Sequence, residues 1–348
     1  MSAYVLLLTS AVAGVAAIGE RAEEGQRVVI EGVGPYQVCD PLFESVRIAM
    51  TQRGETWSPD YVQGISGSAF RITGPCPCAP TCGNWYWPPE LVKVLGYDCE
   101  YLLLGEEGTD PQARLREVLS CIKDEIRSGR TAILWHAFTN AEFDIVCGFD
   151  ESTHELLGRG SYVALEDGYA KASEARTLES REISGLLGAI VIGEKTGEFD
   201  ARAAEIAALK EAVSHCWADK AGFLKGGVNC YDGWIDDLGR DLPRELGSGD
   251  WYCLAVYSST HAAAPGFLRE ISPKYGDAAR NLEHAADHFS QEADTLHKCF
   301  AVLGEERPTD EPQKVKCGQT ADLLRQARDA YRHGIHDIER ALEKIEGE

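Results

Sequence analysis

The sequence predicts an α+β fold in which an antiparallel sheet is followed by an all-helical C-terminal subdomain. Three observations carry this. Residues 131–138, 143–149 and 154–162 are apolar runs of strand length, separated by turn residues at Thr139-Asn140 and at 150–153. Beyond Asp200 the apolar spacing changes to steps of three and four, the period of helices with one buried face. The 348 residues, 44% hydrophobic and 26% charged, are enough for one large domain or two ordinary ones of globular composition.

Taken in order, residues 1–24 form an apolar N-terminal segment. The core of that segment, 4–18, has no Lys or Arg before it, and Glu20, Arg21, Glu23 and Glu24 come only after it. It is short for a membrane span, and no later stretch is long and apolar enough for one. A signal peptide, an unusual start and a buried first segment all remain open readings. The α+β domain is expected over 25–198, beginning with a short strand or loop at 26–36.

Asp40-Pro41 is a helix start, with Asp40 as N-cap and Pro41 in the first helical position. Leu42, Phe43, Val46, Ala49 and Met50 give that helix its apolar face, and it ends near Gly54. Residues 64–70 read as a tight loop entering a short strand, and 74–89, rich in Pro, Cys and Trp, as irregular. A short helix at 91–95, a strand at 101–104 and an amphipathic helix at 111–128 precede the sheet, with a further strand at 189–192. The crossover falls in 175–188.

The helical subdomain is expected over 199–348, with helices at 201–217, 231–238 and 251–264, the last stopped by Pro265. It ends in an αα-hairpin. Leu282, Ala285, Phe289, Leu296 and Leu303 mark one arm and Leu324, Ala327, Tyr331, Ile335 and Ile338 the other, with Pro308 and Pro312 between them.

A net charge of −22 and the lack of any dense Lys/Arg run exclude a nucleic-acid surface. The twelve cysteines are scattered and several sit in apolar contexts, as in Val146-Cys147-Gly148. A chain of this size needs no disulfide staples, so free thiols in a reducing, cytoplasmic setting are expected. Export through residues 1–18 is the second reading. Self-association through the helical subdomain is compatible with the pattern.

Cys39 sits one residue before a helix start, where the helix dipole lowers a thiol pKa; the neighbouring Asp40 opposes that. A thiol nucleophile needs a base and a group to orient it. His136, in Trp135-His-Ala-Phe138, is the candidate base of the sheet region, and a satisfied core histidine is the bland account. Glu142 at the head of the next strand is a candidate acid–base residue if desolvated. Asp150 is either an orienting carboxylate or a turn residue.

Gly64, Ser66, Gly67 and Ser68 form a candidate oxyanion or cleft loop; a nucleophile elbow fails because position 68 is Ser. Trp85, Trp87 and Trp135 are candidate walls of a small-molecule cleft. Cys76-Pro-Cys78-Ala-Pro-Thr-Cys82 has CxC and CxxxC spacing but no fourth ligand that the spacing requires, so no metal is assigned. His284 with His288, and His333 with His336, read as surface histidines. Gly-rich phosphate loops are absent from the sequence, and no cofactor is expected.

Cys39 followed by a helix, Gly64-Ile-Ser-Gly-Ser-Ala-Phe-Arg71, Leu95-Gly-Tyr97, Ser128-Gly-Arg-Thr-Ala-Ile-Leu-Trp135 and Glu142-Phe-Asp-Ile-Val-Cys-Gly-Phe-Asp150 together resemble the papain-like group typified by the N-terminal domain of butirosin biosynthesis protein H. The likeness spans roughly residues 25–165, under half of the chain. It implies a papain-like domain and a cysteine-dependent acyltransferase or amide hydrolase acting on a small amine or amide, with an acyl carrier as a conceivable donor. Cys39 matches the nucleophile position. Glu142 stands where the related bacteriocin-processing peptidases place the His of "His…Gly-Tyr-Asp", so the base is lost or supplied elsewhere. The other reading is a catalytically inactive relative that binds a small molecule in the old cleft.

Overall fold

A computed structural model describes residues 27–74, 76, 78–239, 248–303 and 314–347. The apolar segment 1–24, Pro308 and Pro312 lie outside the described residues. The fold is mixed helix and sheet, with an antiparallel sheet and a helical C-terminal region.

Seven strands form the main sheet: β1 (Arg27–Val29), β3 (Tyr97–Leu102), β4 (Ala132–Trp135), β5 (Phe143–Asp150), β6 (Glu155–Arg159), β7 (Ala170–Ser173) and β8 (Ala189–Lys195). Their order is β3-β8-β4-β5-β6-β7, with β1 beside the far end of β5. Every pairing is antiparallel, with Trp135 opposite Phe143 and Asp150 opposite Glu155. A short ribbon joins β2 (Thr73–Gly74) to β9 (Lys225–Gly226).

Both faces of the sheet are buried, which is why its central strands are apolar throughout rather than alternating. Leu134, Val146, Phe149, Leu156 and Val191 meet the apolar stripe Leu115, Val118, Leu119, Ile122 and Ile126 of α5 (Pro111–Arg127). Ile133, Trp135, Phe143, Ile145 and Ile190 face the opposite way and join the core of the helical layer. In that layer α1 (Glu44–Gln52) lies on β4 and β5, and α2 (Pro59–Ser66) contacts α6 (Ala201–Trp217) and α9 (Ala264–Ile271). Two short helices, α3 (Ala79–Cys82) and α4 (Pro88–Val94), follow α2, and α7 (Gly227–Gly239) and α8 (Ser248–His261) follow α6.

The hairpin expected at the end of the chain is α10 (Ala279–Leu303) against α11 (Lys314–Gly347). One continuous hydrophobic cluster contains Val46 and Ile65 from the first helices together with Phe267, Phe289, Leu324 and Tyr331. The ring of Phe70 lies 5.9 Å from that of Phe267 and 5.2 Å from that of Phe289. The Tyr331 hydroxyl donates to the Phe70 carbonyl at 3.0 Å. No described helix is long and apolar enough to cross a membrane.

Four segments differ from the sequence expectation. Residues 64–66 end a helix rather than open a loop. Ser58 caps it by accepting from the Tyr61 amide, with Pro59 at its start. Gly64 is tolerated inside it because a Cβ there would lie 2.1 Å from Cγ of Phe267. The strand expected at 101–104 begins at Tyr97, and β7 was not expected at all. Pro265 does not stop a long helix; it sits in the first turn of the next one.

Candidate functional site

The helix expected from Asp40-Pro41 begins only at Glu44, with Phe43 at its N-cap position, and Asp40 instead ties the turn before it. Its carboxylate accepts from the amides of Leu42, Phe43 and Glu44 and from Nε2 of Gln63. Only the Glu44 amide belongs to α1, and all three are spent on Asp40 rather than on the sulfur before it. Cys39 is half-buried, and its amide donates to Oγ of Ser259 at 2.8 Å. Burial first, and then the charges of Glu142 and Asp40, push the thiol far above its ordinary value. The structure thus reverses the activation expected of a helix-start cysteine.

Glu142 is fully buried at the head of β5. Its carboxyl accepts from the Tyr252 hydroxyl at 2.9 Å and from the Ser161 hydroxyl. Burial and the nearby Asp144 raise its pKa well above the ordinary range, against the lowering effect of Tyr252. Tyr162, 43% exposed, carries the site to the surface, and its hydroxyl feels Glu142, Asp144 and Cys39.

Asp144 is held by the amides of Phe138 and Thr139 and by the Thr139 hydroxyl, yet burial still lifts its pKa from 3.8 to about 6. Between about pH 4 and 6 the folded chain keeps a proton that the unfolded chain has released. The perturbation therefore costs nothing below that window and about 3 kcal/mol of stability above it. Urea midpoints measured across the window should fall as pH rises, and Asp144→Asn should flatten the fall. A variant that tracked the parent would assign the slope to other groups.

The remaining sequence candidates fall into different places. His136 is not in a strand. It follows β4 with a φ of 61°, in the left-handed region. Its amide donates to the Glu142 carbonyl, and its Nδ1 accepts from the Ala141 amide at 2.9 Å. Burial first, and then the charge of Arg176, lower its pKa. No hydrogen bond or charge interaction links it to Cys39, so the structure does not pair the two as base and nucleophile.

Asp150 ends the same strand that Glu142 begins, roughly 25 Å away at about 3.3 Å per residue. It accepts from the Ser152 amide and hydroxyl and closes the turn to β6. The Gly64–Ser68 segment has no amide to offer an oxyanion. Gly67, Ser68, Ala69, Phe70 and Arg71 each donate to an acceptor of the same segment, and Ser66 donates its hydroxyl to Gln63. Gly67 has a φ of 85°, and Trp85 covers it closely enough that a Cβ would lie 2.0 Å from its ring. Trp135 is fully buried against Phe143, whereas Trp87 is 38% exposed at the start of α4.

Tyr252, Ser161, Asp144 and Gln63 complete the site and were not anticipated. Tyr252 lies 110 positions from its partner and has no local signal. Asp144 stands two residues after Glu142 in a run that reads as plain strand.

Among the described residues, ligand atoms of Glu151, His154 and Glu174 lie within 4.8 Å of one another. Lys123 already pairs with both carboxylates, at 2.8 and 2.7 Å, and Arg127 reaches Glu151 at 3.1 Å. The cluster is thus a neutralised surface network. His288 on the hairpin lies 3.6 Å from Asp337 and beside His333. No family model matches the chain, and no curated protein matches its sequence.

Proposed function

We propose that the chain is a catalytically silent relative of the papain-like thiol hydrolases and acyltransferases, and that it binds a small protonated amine beside Glu142. The observation that carries this reading is the carboxyl of Glu142. In an active relative that slot would hold a base able to take the thiol proton. Here it holds a buried carboxyl, hydrogen-bonded to Tyr252 and Ser161, beside a thiol whose own pKa is raised by burial and by the charges of Glu142 and Asp40.

The ligand class follows from charge. Asp40, Glu142 and Asp144 are all buried, and burial raises all three. An arriving ammonium would be stabilised by the ionised form of these groups and would lower their pKa values, releasing protons where a group is still partly protonated, as Asp144 is near pH 6. The half-buried Cys39 and Tyr252 and the exposed ring of Tyr162 form the rim through which the site meets solvent.

Calorimetric titration with ethanolamine, putrescine and spermidine, in buffers of different ionisation enthalpy, tests both halves. Binding should release protons, and Glu142→Gln should weaken it by about 10- to 100-fold, the worth of a buried charge-assisted contact. Equal binding by the variant, or binding without proton release, would remove the amine. Turnover of thioester or amide substrates that Cys39→Ala abolishes would restore the acyltransferase or amidase reading.

A further inference from the structure

A second constellation lies in the loop ahead of α4. Residues 76 and 78–82 bring three cysteines together. Sγ of Cys76 is 2.8 Å from Sγ of Cys78, and Cys82, four residues on, donates its amide to the Cys78 carbonyl at 2.8 Å. The loop is fixed from below: the Cys253 thiol donates to the Cys76 carbonyl at 3.0 Å, Thr73 to the Ala79 carbonyl at 2.9 Å, and Arg71 to the Pro80 carbonyl at 2.9 Å. Two cysteines on one zinc would stand about 3.8 Å apart, given Zn–S bonds of about 2.3 Å in a tetrahedron. Sulfurs at 2.8 Å are too close for that and are placed for bonding to each other.

Cys82 is exposed and lines an open pocket of about 350 Å³ together with Asn84, Trp85, Glu211, His215 and Lys220. Two buried polar atoms of this group, Oδ1 of Asn84 and Nε1 of Trp85, have no partner. Behind it Arg71 is buried with Nε and Nη1 unpartnered, and its charge couples to Cys82. Lys220 and Glu211 supply one charge of each sign at the pocket.

We infer that this loop is a thiol–disulfide exchange site, with Cys82 as the receiving sulfur and the pocket as the seat of a low-molecular-weight zwitterionic disulfide of the glutathione type. The Cys82 thiolate attacks one sulfur of the disulfide, whose S–S bond breaks, and the first thiol leaves and takes up a proton. Cys78 then attacks the Cys82 sulfur, gives up its proton and expels the second thiol, forming Cys78–Cys82. Cys76 finally attacks Cys78, closing Cys76–Cys78 and returning Cys82 as a thiol. Two protein thiols are oxidised and one disulfide is reduced to two thiols. Burial first and then its bond to Cys76 push the Cys78 thiol up to about 12, which leaves the first attack to the exposed Cys82.

The test treats the fully reduced full-length chain with glutathione disulfide and maps modified cysteines by mass spectrometry over time. The parent should collect an intraloop disulfide ahead of every other site, and Cys78→Ser should stall as a glutathione adduct on Cys82. Cys82→Ser should slow loop oxidation by about tenfold or more. Lys220→Glu should slow the reaction with glutathione disulfide but not with uncharged hydroxyethyl disulfide, and its fold is not at risk because Lys220 is exposed. Adducts appearing on Cys39, Cys99 or Cys121 before Cys82, or loop oxidation at the parental rate in Cys82→Ser, would overturn the site. Equal effects of Lys220→Glu on both disulfides would overturn the pocket as its seat.

Discussion

At about pH 8, iodoacetamide will label Cys39 at least roughly 100-fold more slowly than the exposed Cys82, because each unit of raised pKa removes about tenfold of the reactive thiolate. The cause is specific to the site. The sulfur is desolvated, and both charges that reach it, Glu142 and Asp40, are negative. The amides of Leu42, Phe43 and Glu44, which could stabilise a thiolate, are already bonded to the Asp40 carboxylate. Glu142→Gln removes one of the two charges and should quicken labelling by about tenfold. Residue-resolved mass spectrometry reads both outcomes. Cys39 labelling as fast as Cys82 near neutral pH would end the silent reading and make Cys39 a nucleophile.

Glu292→Ala will cost about 3–5 kcal/mol of stability. Glu292, His261 and Tyr231 are all fully buried. Nε2 of His261 lies 3.0 Å from the Arg71 carbonyl, which can only accept, so that nitrogen carries a proton. Its Nδ1 lies 2.9 Å from Oε1 of Glu292, the same oxygen that accepts from the Tyr231 hydroxyl. Alanine would strand the ring nitrogen and the phenol in an apolar core and leave a cavity as well. Glu292→Gln keeps a carbonyl acceptor and should lose less. Urea unfolding of both variants gives the comparison, and a loss under about 1 kcal/mol for alanine would mean that water replaces the carboxylate.

The parts of the fold that were legible are those set by local rules. The hairpin α10–α11 followed from apolar spacing, α5 from its amphipathic pattern, and β4, β5 and β6 from three apolar runs with turn residues between them. That Asp40 would take amides ahead of α1 was legible too, although the helix begins at Glu44 rather than at Pro41. What Asp40 does to Cys39 was not, because the sign of that effect depends on which group receives the amides.

Strand β7, Ala-Lys-Ala-Ser, has no strand-forming side chains and exists because β6 pairs with it. Gly64 looked like a loop residue because the reason for a glycine there, Phe267, is 203 positions away. Tyr252 entered the site by the same kind of distant contact. The sequence placed Glu142 at the right spot and could not show the carboxyls of Asp40 and Asp144 around it, whose joint burial is a property of the folded chain alone.

The shared core has a consequence for the order of events during synthesis. Phe70 completes its surroundings with Phe267, Phe289 and Tyr331, so the layer over one face of the sheet lacks its cover until α11 has left the ribosome. The strands and α5 can associate earlier on the opposite face, whose apolar contacts all come from residues before 192. Until then the uncovered face is the surface on which a nascent chain would need a chaperone.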